Sequence, residues 1–410
     1  MAVVKPFCCI HPARGLEPKI AALPYDVYSR EEARHAVEGK PLSFLNIDRP
    51  ETLFGPEQDM YAQEVYEAAR MRLQNMQADG SFVKEESPVY YIYELTMDGR
   101  SQTGIVGCAS IDDYERQVIR KHENTRAEKE EDRIRHVDAC GAQTGPIFLA
   151  YRSHGTIRDI VKTVKTSEPE FSFETEDGIR HAGWKISDGV LQKELEKAFL
   201  QVGNVYIADG HHRTASAVKV GQKRRFQYPE YDGTEAFNYF LSVLFPDDEL
   251  MIMDYNRVVK DLNGLSMEHF LSEVSEKFET FLIKGPEKPE RKGQIVMYLH
   301  GYWFRLMMRP EYIRDDPVEG LDVAYLQREL LNPVLGIRDP RTDKRIDFVG
   351  GIRGIEELKR RADDDMEVAF AMYPTSIQEL FAVADAGLLM PPKSTWFEPK
   401  LRSGLFIHEI

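Results

Sequence analysis

A short apolar run that ends at Asp209-Gly210 and is followed directly by a stretch with helical character constrains this chain more than any other part of its sequence. Residues 202–208 are rich in valine, isoleucine and tyrosine and predict a strand, whereas residues 211–221 predict a helix. Glycine adopts positive φ values without a steric cost, so Gly210 suits the tight turn between them. The fold must therefore contain a strand followed at once by a helix.

The rest of the sequence alternates between strand-like and helix-like segments. We predict helices at residues 31–37, 61–76, 125–139, 323–331, 355–362 and 376–386, and strands or hairpins at 88–110, 238–245, 294–308 and 366–372. Because the segments form no regular strand–helix–strand series, they predict an α+β or mixed α/β fold. We expect an N-terminal α/β domain at 1–250 that carries the Gly210 turn, and a C-terminal α+β domain at 251–410.

Composition excludes some classes of function. The chain has 410 residues, 53 of them Lys or Arg and 68 Asp or Glu, which gives a net charge of −15. Such a charge repels a phosphate backbone, so nucleic acid is not an expected partner. The sequence has neither the apolar run of a signal peptide nor one long enough to span a bilayer. The four cysteines lack a C-x-x-C spacing. We therefore expect a cytoplasmic protein with free thiols.

The Gly210 turn has the properties of an anion site. The first turn of a helix presents backbone N–H groups without intrahelical partners, at the positive end of the helix dipole. An arginine in that turn can bind a phosphate through two parallel hydrogen bonds, and two histidines add donors whose charge can change near neutral pH. The predicted phosphate ligands are Gly210, His211, His212, Arg213 and Thr214. In the alternative interpretation, Asp209 caps the helix and both histidines are ordinary surface residues.

A second group of candidates lies just before the charged helix at 125–139. Thr125 is followed three residues later by Glu128, which predicts a capping box at the start of this helix. His122 and Glu123 lie immediately outside that N-terminus, where an anion would again be held. Glu123 is a candidate general base or Mg²⁺ ligand, and His122 and Thr125 are candidate substrate ligands. The alternative is a solvated run of charges.

A third group lies near the C-terminus, in a proline-bounded loop. Its ammonium and hydroxyl groups suit contacts with phosphate, and they belong to Lys393, Ser394, Thr395 and Lys400. We expect the part of the loop at 393–395 to return to the site of the N-terminal domain. Asp26 follows a proline turn in Leu23-Pro-Tyr-Asp-Val27. A turn role is the default for Asp26, and catalysis is the alternative.

A metal site is weakly indicated. His11, His122, His211 and His212 are possible ligands, but no H-E-x-x-H motif and no cysteine pair accompanies them. Structural zinc is therefore not expected. Mg²⁺ that enters with a nucleotide is the simplest metal, with Asp209 or Glu123 as its possible protein ligand.

Several motifs resemble those of a prokaryotic family catalogued as domain of unknown function 1015. The resemblance extends through nearly the whole chain, and it rests on Leu23–Val27, Pro41–Leu45, His122–Thr125 with Asp132-Arg133, Ala208–Arg213, and Met390–Thr395 with Pro399-Lys400. One departure is visible, because Asn256 stands where family members often carry histidine, while Arg257 remains.

The segment from Gly210 to Ala215 also resembles the phosphate-binding box of the ParB/sulfiredoxin superfamily. Sulfiredoxins carry a reactive cysteine where this chain has His211, and ParB proteins add a helix-turn-helix, which is not evident here. The Asp-Gly-His-His-Arg form is most similar to the branch of free serine kinases. The resemblance thus implies a ParB/sulfiredoxin-like nucleotide-binding core that works with Mg²⁺ and ATP.

By this resemblance the chain is a phosphotransferase acting on a small hydroxyl metabolite, with free L-serine as the leading acceptor. The acceptor proton requires a base, for which the candidates are Glu123, Asp209, His212 and Asp26, and Lys393 or Lys400 would neutralise developing charge. Two alternatives stay open: a protein gated by CTP or ATP that transfers no phosphate, and a metal-dependent hydrolase that uses the histidines. The sequence indicates no oligomeric state.

Overall fold

The computed structural model describes residues 1–125 and 127–410 and divides into two compact units. The first comprises Met1–Leu250 with Pro399–Ile410, and the second comprises Met251–Glu398. The C-terminal segment belongs to the first unit because its backbone pairs there. Ser403 forms an isolated bridge with Ala22, and Ile407 forms one with Ile10. We had expected this segment in the C-terminal domain at 251–410, whereas the structure places it in the first unit.

The described strands follow one another in chain order. They are β1 Val4–Lys5, β2 Ile10–Pro12, β3 Phe82–Lys84, β4 Tyr90–Met97, β5 Arg100–Ser110, β6 Ile119–Arg120, β7 Ala142–Gln143, β8 Ile147–Tyr151, β9 Phe171–Glu174, β10 Arg180–Ile186, β11 Val205–Asp209, β12 Tyr239–Pro246, β13 Ile252–Met253, β14 Tyr255–Val259, β15 Phe278–Ile283, β16 Gln294–Leu299, β17 Tyr302–Met308, β18 Ile346–Gly350, β19 Val368–Ala371, β20 Trp396–Phe397 and β21 His408–Glu409.

The α-helices alternate with these strands. They are α1 Glu17–Ile20, α2 Arg30–Val37, α3 Leu45–Asp48, α4 Gln63–Ala78, α5 Ile111–Glu115, α6 Ala127–Cys140, α7 Gly155–Val164, α8 Gly189–Val202, α9 His211–Gln227, α10 Met267–Lys277, α11 Asp322–Leu326, α12 Ile355–Asp364 and α13 Ile377–Asp385. Short 3₁₀ turns lie at Tyr25–Val27, Pro50–Leu53, Ala236–Asn238, Asp247–Glu249, Pro310–Tyr312 and Gly351–Arg353, and a π-helical turn lies at Gln327–Leu331.

The main sheet of the first unit has the order β6-β11-β8-β12-β5-β4-β10-β9, and β1 pairs with β5. Most neighbours are antiparallel, but β12 runs parallel to β8 and β6 runs parallel to β11. Alternating apolar side chains of these strands form a core with α7, α8 and α9. Fully buried members of this core include Ile92, Leu149, Leu195, Phe199 and Phe240.

The parallel pair β6 and β11 positions the residues that follow each strand. Val205 pairs with Ile119, and Tyr206 pairs with Arg120. Because the two strands run in the same direction, the segments after them leave the sheet at the same edge. This topology brings residues 121–123 beside the Gly210 turn.

The second unit contains an antiparallel sheet with the order β15-β17-β16-β19-β14-β18. The predicted hairpin at 294–308 is confirmed: β16 and β17 pair antiparallel, and the turn lies at His300-Gly301. Asn256, at the position where the family often has histidine, is buried in β14. Its amide donates to Asp254 at 2.5 Å and accepts from the Met372 backbone at 2.9 Å. This asparagine therefore has a structural role.

The mixed α+β architecture predicted from the sequence is confirmed, and the helix boundaries differ by a few residues. The predicted helix at 125–139 begins at Ala127, and Arg126 lies outside the described residues. The Thr125 hydroxyl donates to Glu130 at 2.7 Å, although the predicted capping box paired Thr125 with Glu128. Within the described part of the chain, no helix combines the length and the apolar character that a bilayer-spanning helix needs.

Candidate functional site

The turn between β11 and α9 has the conformation that its sequence predicts. Gly210 is the N-cap of α9 and lies in the left-handed region at φ 92° and ψ 31°. No side chain caps this helix N-terminus, so Asp209 does not act as the helix cap. The Thr214 hydroxyl donates back to the Gly210 carbonyl at 3.1 Å, and it stabilises the turn instead of pointing to a ligand.

Arg213 packs against the open side of this turn. A Cβ placed on Gly210 would lie 3.1–3.2 Å from the Arg213 guanidinium, so the missing side chain leaves room for the arginine. Arg213 Nη1 donates to the Pro146 carbonyl at 2.7 Å, whereas its Nε has no hydrogen-bond partner among the described residues. The guanidinium is thus fixed at one corner and keeps donor capacity next to the helix N-terminus.

Asp209 is held by the protein. Its carboxylate accepts from the Gly210 N–H at 2.7 Å and pairs with Lys400 Nζ at 3.1 Å. Burial raises the pKa of Asp209, but the charges of Lys400 and Arg213 and the hydrogen bond from Lys400 together lower it well below the ordinary value. A carboxylate with so low a pKa is a weak proton acceptor, which disfavours Asp209 as a general base.

His122 and His211 form a buried pair at the same edge. Their ring centroids lie 4.6 Å apart at an interplanar angle of 89°, and the two residues are 2% and 7% exposed. Burial lowers the pKa of His122 to about 4, against a backbone hydrogen bond with Ile207 that raises it. Burial and the neighbouring His122 lower the pKa of His211 well below its ordinary value. Both shifts favour the neutral imidazole, which runs against the prediction that the charge of His211 changes near neutral pH.

Each ring of this pair has a nitrogen atom without a hydrogen-bond partner among the described residues. These atoms are Nδ1 of His122 and Nε2 of His211. A buried polar atom that makes no hydrogen bond is destabilising unless a ligand or water binds it. Glu123 contributes a carboxylate to the same place, because ligand atoms of His122, Glu123 and His211 all lie within 4.8 Å of one another.

Other predicted residues of the first unit lie outside the group formed by His122, Glu123 and His211. His11 pairs with Glu85 at 3.3 Å and is not part of the group formed by His122, Glu123 and His211. Asp26 is exposed in the 3₁₀ turn at Tyr25–Val27. His212 is half-buried, and its carbonyl accepts from the Ser216 hydroxyl at 2.7 Å.

The sequence analysis gave no role to Tyr25, Arg49 or Arg133, which line cavities near the turn. The Arg133 guanidinium stacks 4.1 Å over the Tyr25 ring and pairs with Asp132 at 2.7 Å. Tyr25, Arg133 and Arg213 line one small cavity. Tyr25, Asp26, Arg49 and Arg133 help to line a second one of about 120 Å³. The motifs Leu23–Val27 and Asp132-Arg133 contain Tyr25 and Arg133, but they suggested no chemistry for these two residues, and no motif contained Arg49.

The C-terminal candidates are divided between the units. Lys400 belongs to the first unit, whereas Lys393, Ser394 and Thr395 belong to the second. The Ser394 hydroxyl donates to the Pro391 carbonyl at 2.6 Å, and the Lys393 carbonyl accepts from Arg257 at 3.0 Å. These two hydrogen bonds order the loop within its own unit.

Comparison with known proteins relates this chain to a family without an assigned function. The family profile described as protein of unknown function (DUF1015) matches residues 4–324. No curated protein matches the chain. Among solved structures, SbnI with a C-terminal truncation from Staphylococcus aureus is 12% identical with a TM-score of 0.40, over 73% of this chain and 85% of that one.

Two further solved structures are similar at the same remote level. Free serine kinase in complex with AMP is 13% identical with a TM-score of 0.34, over 74% of this chain and 92% of that one. A conserved hypothetical protein from Pyrococcus furiosus is 14% identical with a TM-score of 0.33, over 74% and 95%. Scores this low carry no statement about the activity of this chain.

Proposed function

The chain belongs to the DUF1015 family, and on this premise we propose that it is a cytoplasmic nucleotide-binding phosphotransferase. It would transfer a phosphoryl group from ATP to the hydroxyl group of a small polar metabolite, and free L-serine is the first acceptor to test. The observation that carries the proposal is the uncapped N-terminus of α9 at the left-handed Gly210, with the Arg213 guanidinium beside it.

Phosphoryl transfer requires of a protein mainly positioning and neutralisation of charge. The first-turn N–H groups of α9 and the positive end of its dipole would bind phosphate oxygens. Arg213 would bind the same phosphates, because it lies against Gly210 and has a donor without a partner among the described residues. His212 and Lys400 are further predicted phosphate ligands at this turn, and Lys400 pairs there with Asp209.

The acceptor hydroxyl must lose a proton, and Glu123 is the best candidate to receive it. Its carboxylate lies within the group that contains His211, the first residue of α9. Asp209 is the weaker candidate, because Lys400 and Arg213 lower its pKa and the Gly210 N–H occupies one of its oxygens. Asp26 is exposed and remains the third candidate.

The carboxylates also decide how Mg²⁺ would be held. Mg²⁺ prefers oxygen ligands and keeps several water molecules, and it is usually bound by one or two carboxylates together with substrate phosphates. Asp209 pairs with Lys400 and accepts from the Gly210 N–H, and either Asp209 or Glu123 would be the carboxylate that binds the ion. Bound in this way, Mg²⁺ would neutralise phosphate charge. Lys393, Ser394 and Thr395 stay predicted phosphate ligands.

The proposal is tested by incubating the protein with ATP, Mg²⁺ and a mixture of amino acids that contains L-serine. We expect a new phosphomonoester signal in ³¹P NMR together with ADP. Formation of ADP and free phosphate alone would support a hydrolase. Tight nucleotide binding without turnover would support the nucleotide-gated alternative, and it would refute the proposed transfer.

Substitution of Glu123 tests the assignment of the base. Glu123→Gln should preserve nucleotide binding and reduce kcat by about 10²–10⁴-fold, the usual contribution of a general base. Glu128→Gln is the matched control, because Glu128 is an exposed glutamate at the start of the neighbouring helix α6. Equal turnover in the two variants would exclude Glu123 as the base.

A further inference from the structure

His122, Glu123 and His211 form a donor set of a different chemical character from a magnesium site. Two of the three ligands are imidazole nitrogens, and both unpartnered ring nitrogens belong to residues that are more than nine-tenths buried. Mg²⁺ selects oxygen ligands, whereas imidazole suits Zn²⁺ and other first-row transition-metal ions. We propose that these three residues form a binding site for a divalent transition-metal ion, for which Zn²⁺ is the probe.

The spacing of the donors fits this inference. Zinc bonds to histidine nitrogen and carboxylate oxygen are about 2.0–2.2 Å long, so ligand atoms around a tetrahedral ion lie about 3.4 Å apart. The three candidate atoms lie within 4.8 Å of one another. Side-chain movements of about 1 Å would close the set around an ion, without displacement of the strands that carry it.

The surroundings of the two rings also suit a metal ligand. The His122 ring makes a hydrogen bond with the backbone of Ile207, while its Nδ1 has no partner among the described residues. Metal-binding histidines commonly donate their second ring nitrogen to a carbonyl or carboxylate, which fixes the orientation of the ring.

Three protein ligands leave a fourth tetrahedral position for water or another ligand, as in catalytic zinc sites. His211 is also the first residue of α9, so an ion here would lie at the predicted phosphate-binding turn. Binding of the ion would engage the carboxylate of Glu123. Zinc and proton acceptance by Glu123 are therefore expected to compete, although metal binding itself does not depend on the proposed phosphotransferase activity.

The test uses the full chain and the metal alone. Protein treated with a chelator and dialysed should take up one Zn²⁺ per chain in the absence of nucleotide, measured by elemental analysis and calorimetry. Co²⁺ in its place should give the intense visible bands of a tetrahedral site, and X-ray absorption should detect imidazole scattering. Substoichiometric uptake, or a cobalt spectrum of six oxygen ligands, would overturn the proposal.

Variants separate this site from other histidines. His122→Gln and His211→Gln should each weaken zinc binding at least about tenfold, and the double variant should abolish it. His408→Gln is the matched control, because His408 is a buried histidine whose Nε2 bonds to the Ala236 carbonyl at 3.0 Å, and its zinc affinity should not change. Unaltered zinc affinity in the double variant would refute the site. If the double variant fails to fold, the cobalt and X-ray absorption spectra of the unaltered chain decide.

Discussion

Two buried histidine clusters of the first unit differ in how their polar atoms are satisfied. The arginine cluster consists of Arg402, His181, Tyr93, Thr175 and Asp177, and the histidine pair consists of His122 and His211. In both clusters burial lowers the pKa of the imidazoles. The comparison separates a polar group that supports the fold from one that is available to a ligand.

In the arginine cluster both ring nitrogens of His181 have partners. Nδ1 bonds to the Tyr93 hydroxyl at 2.8 Å, and Nε2 lies 3.2 Å from the Thr175 hydroxyl and 3.3 Å from Arg402 Nε. Arg402 also pairs with Asp177. These hydrogen bonds link the C-terminal segment, through Arg402, to His181 of β10. The arginine cluster therefore holds in place a segment that is distant in the sequence.

In the histidine pair, one nitrogen of each ring has no hydrogen-bond partner among the described residues. Buried polar atoms without partners are uncommon in proteins, and they tend to mark functional positions or bound water and ions. The difference indicates that removing a member of the arginine cluster affects stability, whereas changes at the histidine pair and the neighbouring turn affect ligands.

The largest expected effect is on the arginine cluster itself. Arg402→Met should lower the free energy of unfolding by about 3–4 kcal/mol, because it removes the hydrogen bonds that Arg402 donates to His181 and Thr175 and leaves Asp177 without its cation. This loss of stability lies at the lower end of the range for breaking a buried ion pair, because the side chain of Asp177 is 42% exposed. Chemical denaturation measures it, and the exposed Arg341→Met is the control. Equal stability of the two variants would contradict the assigned role.

Acid should also destabilise the fold through His181. Burial and the charge of Arg402 lower the pKa of His181 to about 3 from 6.5. Because the unfolded chain binds this proton first, the stability due to His181 is complete above pH 6.5 and is lost as the pH falls towards 3. We expect a loss of about 3 kcal/mol between pH 6.5 and 4 from this residue.

Denaturant unfolding at several pH values measures this loss. His181→Gln removes the titrating group, so its stability should fall less steeply with acid over the same range. Parallel curves for the two proteins would show that His181 does not account for the acid sensitivity.

At the turn, the main effect should be on ligand affinity. Arg213→Ala should weaken nucleotide binding by about 1.5–3 kcal/mol, the range for hydrogen bonds to charged groups. Calorimetry measures the affinity. Arg158→Ala removes a surface arginine of the same unit that pairs with Asp248, and its affinity should equal that of the unaltered chain. If Arg213→Ala and Arg158→Ala bind nucleotide with equal affinity, the assignment of phosphate binding to the start of α9 is wrong.

The smallest expected effect concerns Gly210. Gly210→Ala should lower the free energy of unfolding by about 1–2 kcal/mol, the strain of a left-handed residue that carries a Cβ. The Arg213 guanidinium, which the Cβ would approach to 3.1 Å, is the end of a flexible side chain and can move aside. Gly155→Ala is the control, since a Cβ there meets no atom within 4 Å and the backbone lacks a positive φ. A thermal melt should show a lower Tm for Gly210→Ala only.

Much of the fold could be predicted because its signals are local. Two β-rich runs joined by a short turn predicted each of the hairpins at 88–110 and 294–308, and the helix predicted at 376–386 corresponds to α13. The Gly210 turn was predicted for the same reason, since the preference of glycine for positive φ depends on the residue itself. His122 was harder to interpret, because an imidazole near a helix start has no distinctive local signature.

The sequence by itself determined a strand, a left-handed glycine and a helix with an uncapped N-terminus at residues 205–227, since neighbouring residues control these features. Only the tertiary structure decided that His122 and Glu123 lie beside His211. That contact depends on the parallel pairing of β6 with β11, and strand pairing between distant segments is selected by the packing of the whole sheet. The tertiary structure also decided that the pKa of both imidazoles is lowered, because burial depends on the surrounding fold.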